Sequence, residues 1–305
     1  MEKKATRQSY GEELAILGEK NQNIVVLDAD LSSATKTDIF AKKFHDRFFD
    51  IGIAEQDMVS TAAGFATCGK IPYVSTFAMF CAGRAYDQIR NSICYPKLNV
   101  KICATHAGVT VGEDGATHQM IEDLSLMRTI PNMTVISTCD DIQTKWAVNE
   151  ISKIEGPVYL RLCRLATDQV YEKNENFEIG KAVQIGNGED GTIFCTGVTV
   201  SESIKAQKIL SEKGINVRVI DIHTIKPIDK QIIVKSAIET KKLVSVEDHN
   251  IIGGLGSAIS EVLTELNPAK LTRLGINDCF GKSGKAEELM NFFGIDSEKI
   301  VKEFL

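Results

Sequence analysis

Short, nearly continuous apolar runs alternate with longer amphipathic segments along the whole chain. In the first half the runs fall at 24–27, 48–53, 72–74, 100–104, 134–136 and 158–162, with helix candidates at 10–20, 58–67, 84–93 and 142–152 between them. Runs this short and uniformly apolar suit strands covered on both faces. Their regular alternation with helices predicts βαβ units and a mostly parallel sheet. Periodicity fades over 167–191, where Asp168, Glu172, Lys173, Asn174, Glu175 and Asn176 precede Gly186-Asn187-Gly188-Glu189-Asp190-Gly191, and this composition reads as a linker. The alternation then resumes, with strands at 192–195, 217–221, 243–247 and 271–275 and helices at 201–211, 230–239 and 255–265. The expected fold class is α/β, with two doubly wound domains at 1–166 and 192–305, the second smaller.

Composition changes this picture little. A chain of 305 residues can build two cores. A net charge of -6 gives no broad positive field for nucleic acid. No apolar run approaches the ~20 residues that span a bilayer. Met-Glu-Lys-Lys is followed by no apolar stretch of a secretory leader, so neither secretion nor membrane insertion is expected. The eight cysteines form no C-x-x-C pair and lie mostly in apolar contexts, so free thiols in a reducing cytoplasm are expected.

Candidate chemistry begins at Gly52-Ile53-Ala54-Glu55-Gln56-Asp57-Met58, where a strand gives way to an Ala-rich helix. Ligands of open α/β sheets bind at the carboxyl ends of the strands. Glu55 there is either a functional carboxyl or an acid that complements the helix dipole. Two further segments shift the balance. Ser75-Thr76-Phe77-Ala78-Met79-Phe80 closes a strand with two aromatics, and the polar, glycine-rich stretch Thr105 to Gln119 carries His106, Asp114 and His118. Phe77 and Phe80, three residues apart, would otherwise read as one apolar helix face. The three motifs, in this order and spacing, resemble the transketolase family in its pyrimidine-binding domain. The likeness runs from about Arg7 to Arg164 and continues more weakly to the C-terminus.

That resemblance implies thiamine diphosphate as cofactor. Glu55 takes the place of a neutral carboxyl that donates a hydrogen bond to the pyrimidine ring and so shifts its amino group to the imino form. Burial beside Phe77 and Phe80 would keep it neutral. Phe80 and Phe77 match the aromatics around the ring. Asp30 matches an acid near the cofactor, although a turn residue after the strand is an equal reading. On the substrate side His106 would reach the phosphate end, Asp114 a hydroxyl and His118 the reacting carbon. Arg7 and Arg164 match phosphate contacts, a task suited to the planar guanidinium, though surface charge is the default for arginine. Two positions depart from the family: Ala34 stands where a phosphate-contacting serine is common, with Ser33 or Thr35 as stand-ins, and Gly83 where a tyrosine is common.

The family's other half holds the cofactor's diphosphate and Mg²⁺ with a Gly-Asp-Gly run, and no Gly-Asp-Gly occurs here. The resemblance therefore implies the C-terminal subunit of a split transketolase. It would be active in an α2β2 heterotetramer with an N-terminal subunit that holds the metal. Other readings are a deoxyxylulose-phosphate synthase-like half, which Arg84-Ala85-Tyr86-Asp87-Gln88-Ile89 favours, the beta subunit of a 2-oxo acid dehydrogenase, and a non-catalytic subunit. No metal site is expected in this chain, and no dinucleotide fingerprint follows the first strand. Gly253-Gly254-Leu255-Gly256 reads as tight packing of a helix start rather than a phosphate loop, and His249 as a surface or domain-interface residue.

Overall fold

The structure, a computed structural model, describes residues 3–172 and 175–305, so the linker positions Lys173 and Asn174 lie outside the described residues. Two mostly parallel sheets organise the chain. The larger has seven strands in the order Thr224–Lys226, Thr134–Ser137, Val158–Arg161, Lys101–Thr105, Ile71–Phe77, Ile24–Asp28 and Phe48–Asp50. Its central strands are buried along their whole length, which is why they read as continuous apolar runs. The smaller sheet runs Leu271–Ile276, Leu243–Asn250, Gly191–Cys195, Val217–Asp221 and Val183–Ile185.

Each sheet carries one antiparallel edge strand that the periodicity did not announce. Val183–Ile185 comes from the expected linker and pairs with Val217–Asp221. Thr224–Lys226 leaves the second half of the chain and pairs with Thr134–Ser137, so the larger sheet contains residues from both halves. Both are three residues long, too short for alternation to register. A ribbon of Lys4–Ala5 against Ala166–Thr167 ties the start of the chain to the segment after Arg164. Thr6 Oγ1 adds a bond from Cys163 N at 2.8 Å, and helix Thr6–Lys20 begins there, so Arg7 and Arg164 arrive side by side.

Strand Ile24–Asp28 is followed by its neighbour Phe48–Asp50 on one side, whereas Ile71–Phe77 is followed by Lys101–Thr105 on the other. Winding reverses between these strands, and the crevice at their carboxyl ends is the expected ligand position in such a sheet. Several boundaries move there. Strand Phe48–Asp50 stops short of Ile53, and the helix after it starts at Glu55 rather than Met58. Residues 84–93 are not one α-helix, because π-helical turns at Met79–Arg84 and Ile89–Cys94 flank Tyr86–Gln88. Such turns are uncommon and concentrate at functional sites. All eight cysteines are free, and among the described residues no helix is long and apolar enough to cross a membrane.

Candidate active site at the carboxyl ends of the larger sheet

Asp50 shapes the turn that presents Glu55. Its Oδ1 accepts from Asp30 N and Gly52 N, both at 3.0 Å, while Gly52 adopts a φ of 78° that side chains disfavour. The chain then enters helix Glu55–Thr67, whose first turn carries Glu55 and Asp57 against the positive end of the dipole. Glu55 is 1 % exposed. Burial near apolar groups such as Phe77 and Phe80 was expected; its hydrogen-bond partner is a cation. Arg84 Nη1 donates to Glu55 Oε2 at 2.5 Å, and the same guanidinium lies 4.8 Å from the centre of the Phe80 ring. The π-helical turn brings Phe80 and Arg84 to this place together. Gly83, also on that turn, is exposed.

A wall of rings stands beside this pair. Phe77 and Phe80 lie 5.8 Å apart and nearly parallel, His106 stacks on Phe77 at 3.7 Å, and His118 meets Phe80 edge-on at 5.4 Å. His106 is buried in a left-handed conformation, φ 57°. Arg7 Nη1 lies 3.2 Å from its Nε2, and Thr105 Oγ1 lies 2.9 Å from its Nδ1. A guanidinium can only donate, so Nε2 accepts and the ring proton sits on Nδ1, donated to Thr105. Burial first, then the charges of Arg7, Arg164 and His118, push the imidazole down to about 3, so it is neutral at ordinary pH.

Arg7 also donates to Ala34 O at 2.8 Å, and its Nε is buried without a partner. Burial and the neighbouring Arg164 hold its pKa below the usual guanidinium value. Arg164 is more open and better balanced. It donates to Val111 O at 2.6 Å and lies 3.5 Å from Glu113 and 3.7 Å from Asp114. Two guanidiniums, one with a free N–H, form a place for a dianion such as phosphate.

Asp30 contributes through its backbone; its side chain is exposed, at φ 59°. The organising acid of that segment is Asp28, which sequence reasoning passed over. It accepts from Leu31 N at 2.7 Å, Thr35 Oγ1 at 2.7 Å and Thr37 Oγ1 at 2.8 Å, and burial raises it to about 6. Thr35 is therefore committed inside the fold, whereas Ser33 is exposed. The signal was present: an acid ending a buried strand, followed by Thr-x-Thr at hydrogen-bonding distance in sequence.

Elsewhere, His249 is fully buried between the two halves, where its Nε2 accepts from Ser125 N at 3.3 Å, so it is an interface residue and not a surface one. Glu247 fills the start of helix Leu255–Leu266, accepting from Leu255 N at 2.6 Å and Gly256 N at 2.8 Å, which leaves that glycine run no room for a phosphate. Among the described residues no group of three or more His, Cys, Asp or Glu is arranged to hold a metal ion.

Residues 2–169 match the family model of the transketolase pyrimidine-binding domain, and residues 180–300 that of the transketolase C-terminal domain. The chain belongs to the transketolase family. A Methanocaldococcus jannaschii protein provisionally described as a transketolase C-terminal section is 53% identical over 99% of this chain and 96% of its own length. Human transketolase is 39% identical over 99% of the chain, which spans 48% of that enzyme. A solved structure described as a split gene transketolase, inactive beta4 tetramer, superposes with a TM-score of 0.91 at 47% identity, covering 99% of this chain and 97% of that one. This transketolase chain is thus similar both to stand-alone C-terminal sections and to one half of a full-length enzyme. The family depends on thiamine diphosphate, and the site bears on how its aminopyrimidine would fit. Arg84 already places a planar, nitrogen-bearing group over Phe80 and against the buried Glu55 carboxylate. A flat heterocycle with a ring nitrogen suits the same two contacts.

Proposed function

We propose that this chain is the C-terminal subunit of a split thiamine-diphosphate-dependent transketolase. It would transfer a two-carbon ketol unit from a ketose phosphate to an aldose phosphate, together with an N-terminal subunit that holds the diphosphate and Mg²⁺ in an α2β2 assembly. The observation that carries the reading is the buried Glu55 carboxylate, linked through Arg84 to Phe80 in the wall of Phe77, Phe80, His106 and His118. It stands in a chain that spans 48% of human transketolase and lacks a Gly-Asp-Gly run.

The bound cofactor supplies a nucleophilic carbon able to cleave the bond beside a ketose carbonyl. The work of this chain is binding, orientation and proton placement. Glu55 would hold the pyrimidine through a proton on its carboxyl, which requires Arg84 to release Oε2. Phe80 and Phe77 present apolar faces that exclude water from the ring. Arg7, with its unpartnered Nε, and the neighbouring Arg164 would grip the sugar phosphate, helped by Ser33. Neutral His106 keeps its proton on Nδ1 and so orients Arg7. His118 would hydrogen-bond the substrate oxygen nearest the reacting carbon, and Asp114 a hydroxyl further along. The assay is reconstitution with a subunit bearing the Gly-Asp-Gly site. The free chain should bind the cofactor weakly and turn over negligibly, and mixing should restore ketol transfer. Strong Mg²⁺-dependent turnover by the chain alone would sink the split-enzyme reading. Pyruvate decarboxylation, or condensation of pyruvate with glyceraldehyde phosphate, by the mixture would reassign the reaction.

A further inference from the structure

Strand Leu243–Asn250 of the smaller sheet ends in four consecutive polar residues, Glu247 to Asn250, of which Glu247, Asp248 and His249 are each at most 2 % exposed. Burial of adjacent polar side chains is costly unless each has partners, and alternation sends them to opposite faces. Glu247 serves its own domain at the helix start. Asp248 turns the other way, into the larger domain. Its Oδ1 accepts from Val109 N at 2.8 Å; its Oδ2 accepts from Thr110 Oγ1 at 2.6 Å and Thr110 N at 3.3 Å. Both oxygens are thus spent on the single turn Val109–Val111, which lies between His106 and His118 in the chain. A Cβ on Gly108, at φ 80°, would lie 2.1 Å from Asp248 Oδ2, so only glycine there admits the carboxylate.

The rest of the contact supports the same element. Asn250 N donates to Ile121 O at 2.7 Å, and Gln119 Nε2 reaches Lys282 O at 2.8 Å while also holding Val109 O and Gly112 O. Ser283 Oγ donates to Glu113 O at 2.5 Å. Behind Asp248, Arg161 Nη2 donates to its carbonyl at 2.9 Å and supplies the opposing charge. The histidines and Asp114 therefore sit on a loop whose centre is pinned by the other domain. Glu55 and Phe80 are held on separate elements that Asp248 does not touch.

We propose that Asp248 is a positioning residue for sugar-phosphate recognition, by which the C-terminal domain sets the loop bearing His106, Asp114 and His118. The proposal rests on the transketolase reading for the identity of the ligand. Removing the carboxylate leaves two buried N–H groups without an acceptor. The loop can regain them only by shifting, which moves the sugar contacts and leaves the cofactor contacts in place.

The test uses the chain reconstituted with its diphosphate-binding subunit, with fructose 6-phosphate as donor. Asp248→Asn keeps one acceptor for Val109 N and can donate to Thr110 Oγ1, so it should raise KM about tenfold, with Asp248→Ala worse. Cofactor affinity should stay within about twofold for both variants. In the free chain, amide exchange should quicken at least about tenfold at Val109 and Thr110 in Asp248→Ala, and at Thr110 in Asp248→Asn. Glu247→Gln, on the same strand but bonded to the far side, controls for general loss of stability and should leave KM unchanged. Should Asp248→Ala fail to fold, Asp248→Asn carries the comparison. An unchanged KM in active Asp248→Asn enzyme overturns the proposal, as does an equal rise in Glu247→Gln or unaltered exchange at Thr110 in either Asp248 variant. An inactive wild-type mixture instead overturns the transketolase reading, and the sugar assignment with it.

Discussion

Replacing Glu55 by glutamine separates the carboxyl's chemistry from its structural duty. The side chain is 1 % exposed, and its one hydrogen bond, from Arg84 Nη1, can be accepted equally by an amide oxygen of the same size. What is lost structurally is the charge of the pair. Arg84 is 45% exposed, so solvent screens that attraction and the stability cost should be about 1 kcal/mol. The chemical loss is of another order. An amide cannot carry and return a proton on oxygen, and positioned proton transfer contributes roughly 10²–10⁴-fold, or about 3–5 kcal/mol of barrier. The expected outcome is an assembled complex with a nearly wild-type unfolding midpoint and ketol transfer reduced at least about a hundredfold. Size-exclusion chromatography, urea unfolding and a coupled ketol-transfer assay read the three quantities. Arg84→Met provides the counterpart. It strands a buried carboxylate and should destabilise the free chain by about 1–3 kcal/mol, most of it recovered when Glu55→Gln is added. A Glu55→Gln complex that assembles and works within a few-fold of wild type would show that the carboxyl carries no proton in the reaction.

Other residues give narrower outcomes. Arg7→Lys keeps enough donors for Ala34 O and His106 but loses the separate, unpartnered Nε–H and the planar fork that can pair with two phosphate oxygens, so KM for a phosphorylated donor should rise at least about tenfold; Arg164→Lys, already balanced by Glu113 and Asp114, should do less, and steady-state kinetics against donor concentration tells them apart. Thr35→Val removes a donor from buried Asp28 and should cost about 1–3 kcal/mol in thermal unfolding, whereas Ser33→Ala should leave stability unchanged. Burial lifts Glu247 to about 7 against an ordinary value of 4.5, so the folded chain keeps a proton there that the unfolded chain releases first. Its contribution to stability is then best at low pH and declines as pH rises from 4.5 to 7. Wild type should lose roughly 2–3 kcal/mol relative to Glu247→Gln between pH 5 and 8, measured by denaturant titration at both values; no difference in slope would refute the buried, protonated state.

How much of this was readable follows from what each element depends on. The doubly wound plan was legible because its strands are covered on both faces and announce themselves as apolar runs. The edge strands Val183–Ile185 and Thr224–Lys226 were not, since three residues show no period and their pairing is decided by the other end of the chain. From the motif stretches, Phe77, Phe80, His106 and His118 come into ring contact, and Arg84 links Glu55 to Phe80. Their electrostatics were harder to foresee. Arg84 stands twenty-nine residues from Glu55, and only a π-helical turn, which no periodicity rule anticipates, swings it onto the carboxylate. Asp28 was hidden by the more conspicuous Asp30, and Asp248 by lying 139 residues from its partner Val109.

The site divides into parts that are already fixed and parts that can still move, and the division follows hydrogen bonding. Asp28 locks the segment that offers Ala34 O to Arg7, Thr105 locks the tautomer of His106, and Asp248 locks the turn beyond it. Each of these groups is buried and satisfied, so changing its geometry would cost a desolvated partner. Arg84, Asp114, Arg164 and His118 are at least partly open to solvent and hold looser or interchangeable partners. Binding energy is best used where the scaffold is preorganised, because little ordering remains to oppose it. On the transketolase reading, Arg7 and His106 are then held in place before any ligand arrives, whereas Arg164, Asp114, His118 and the Glu55–Arg84 pair keep room to adjust when the cofactor and the sugar phosphate bind.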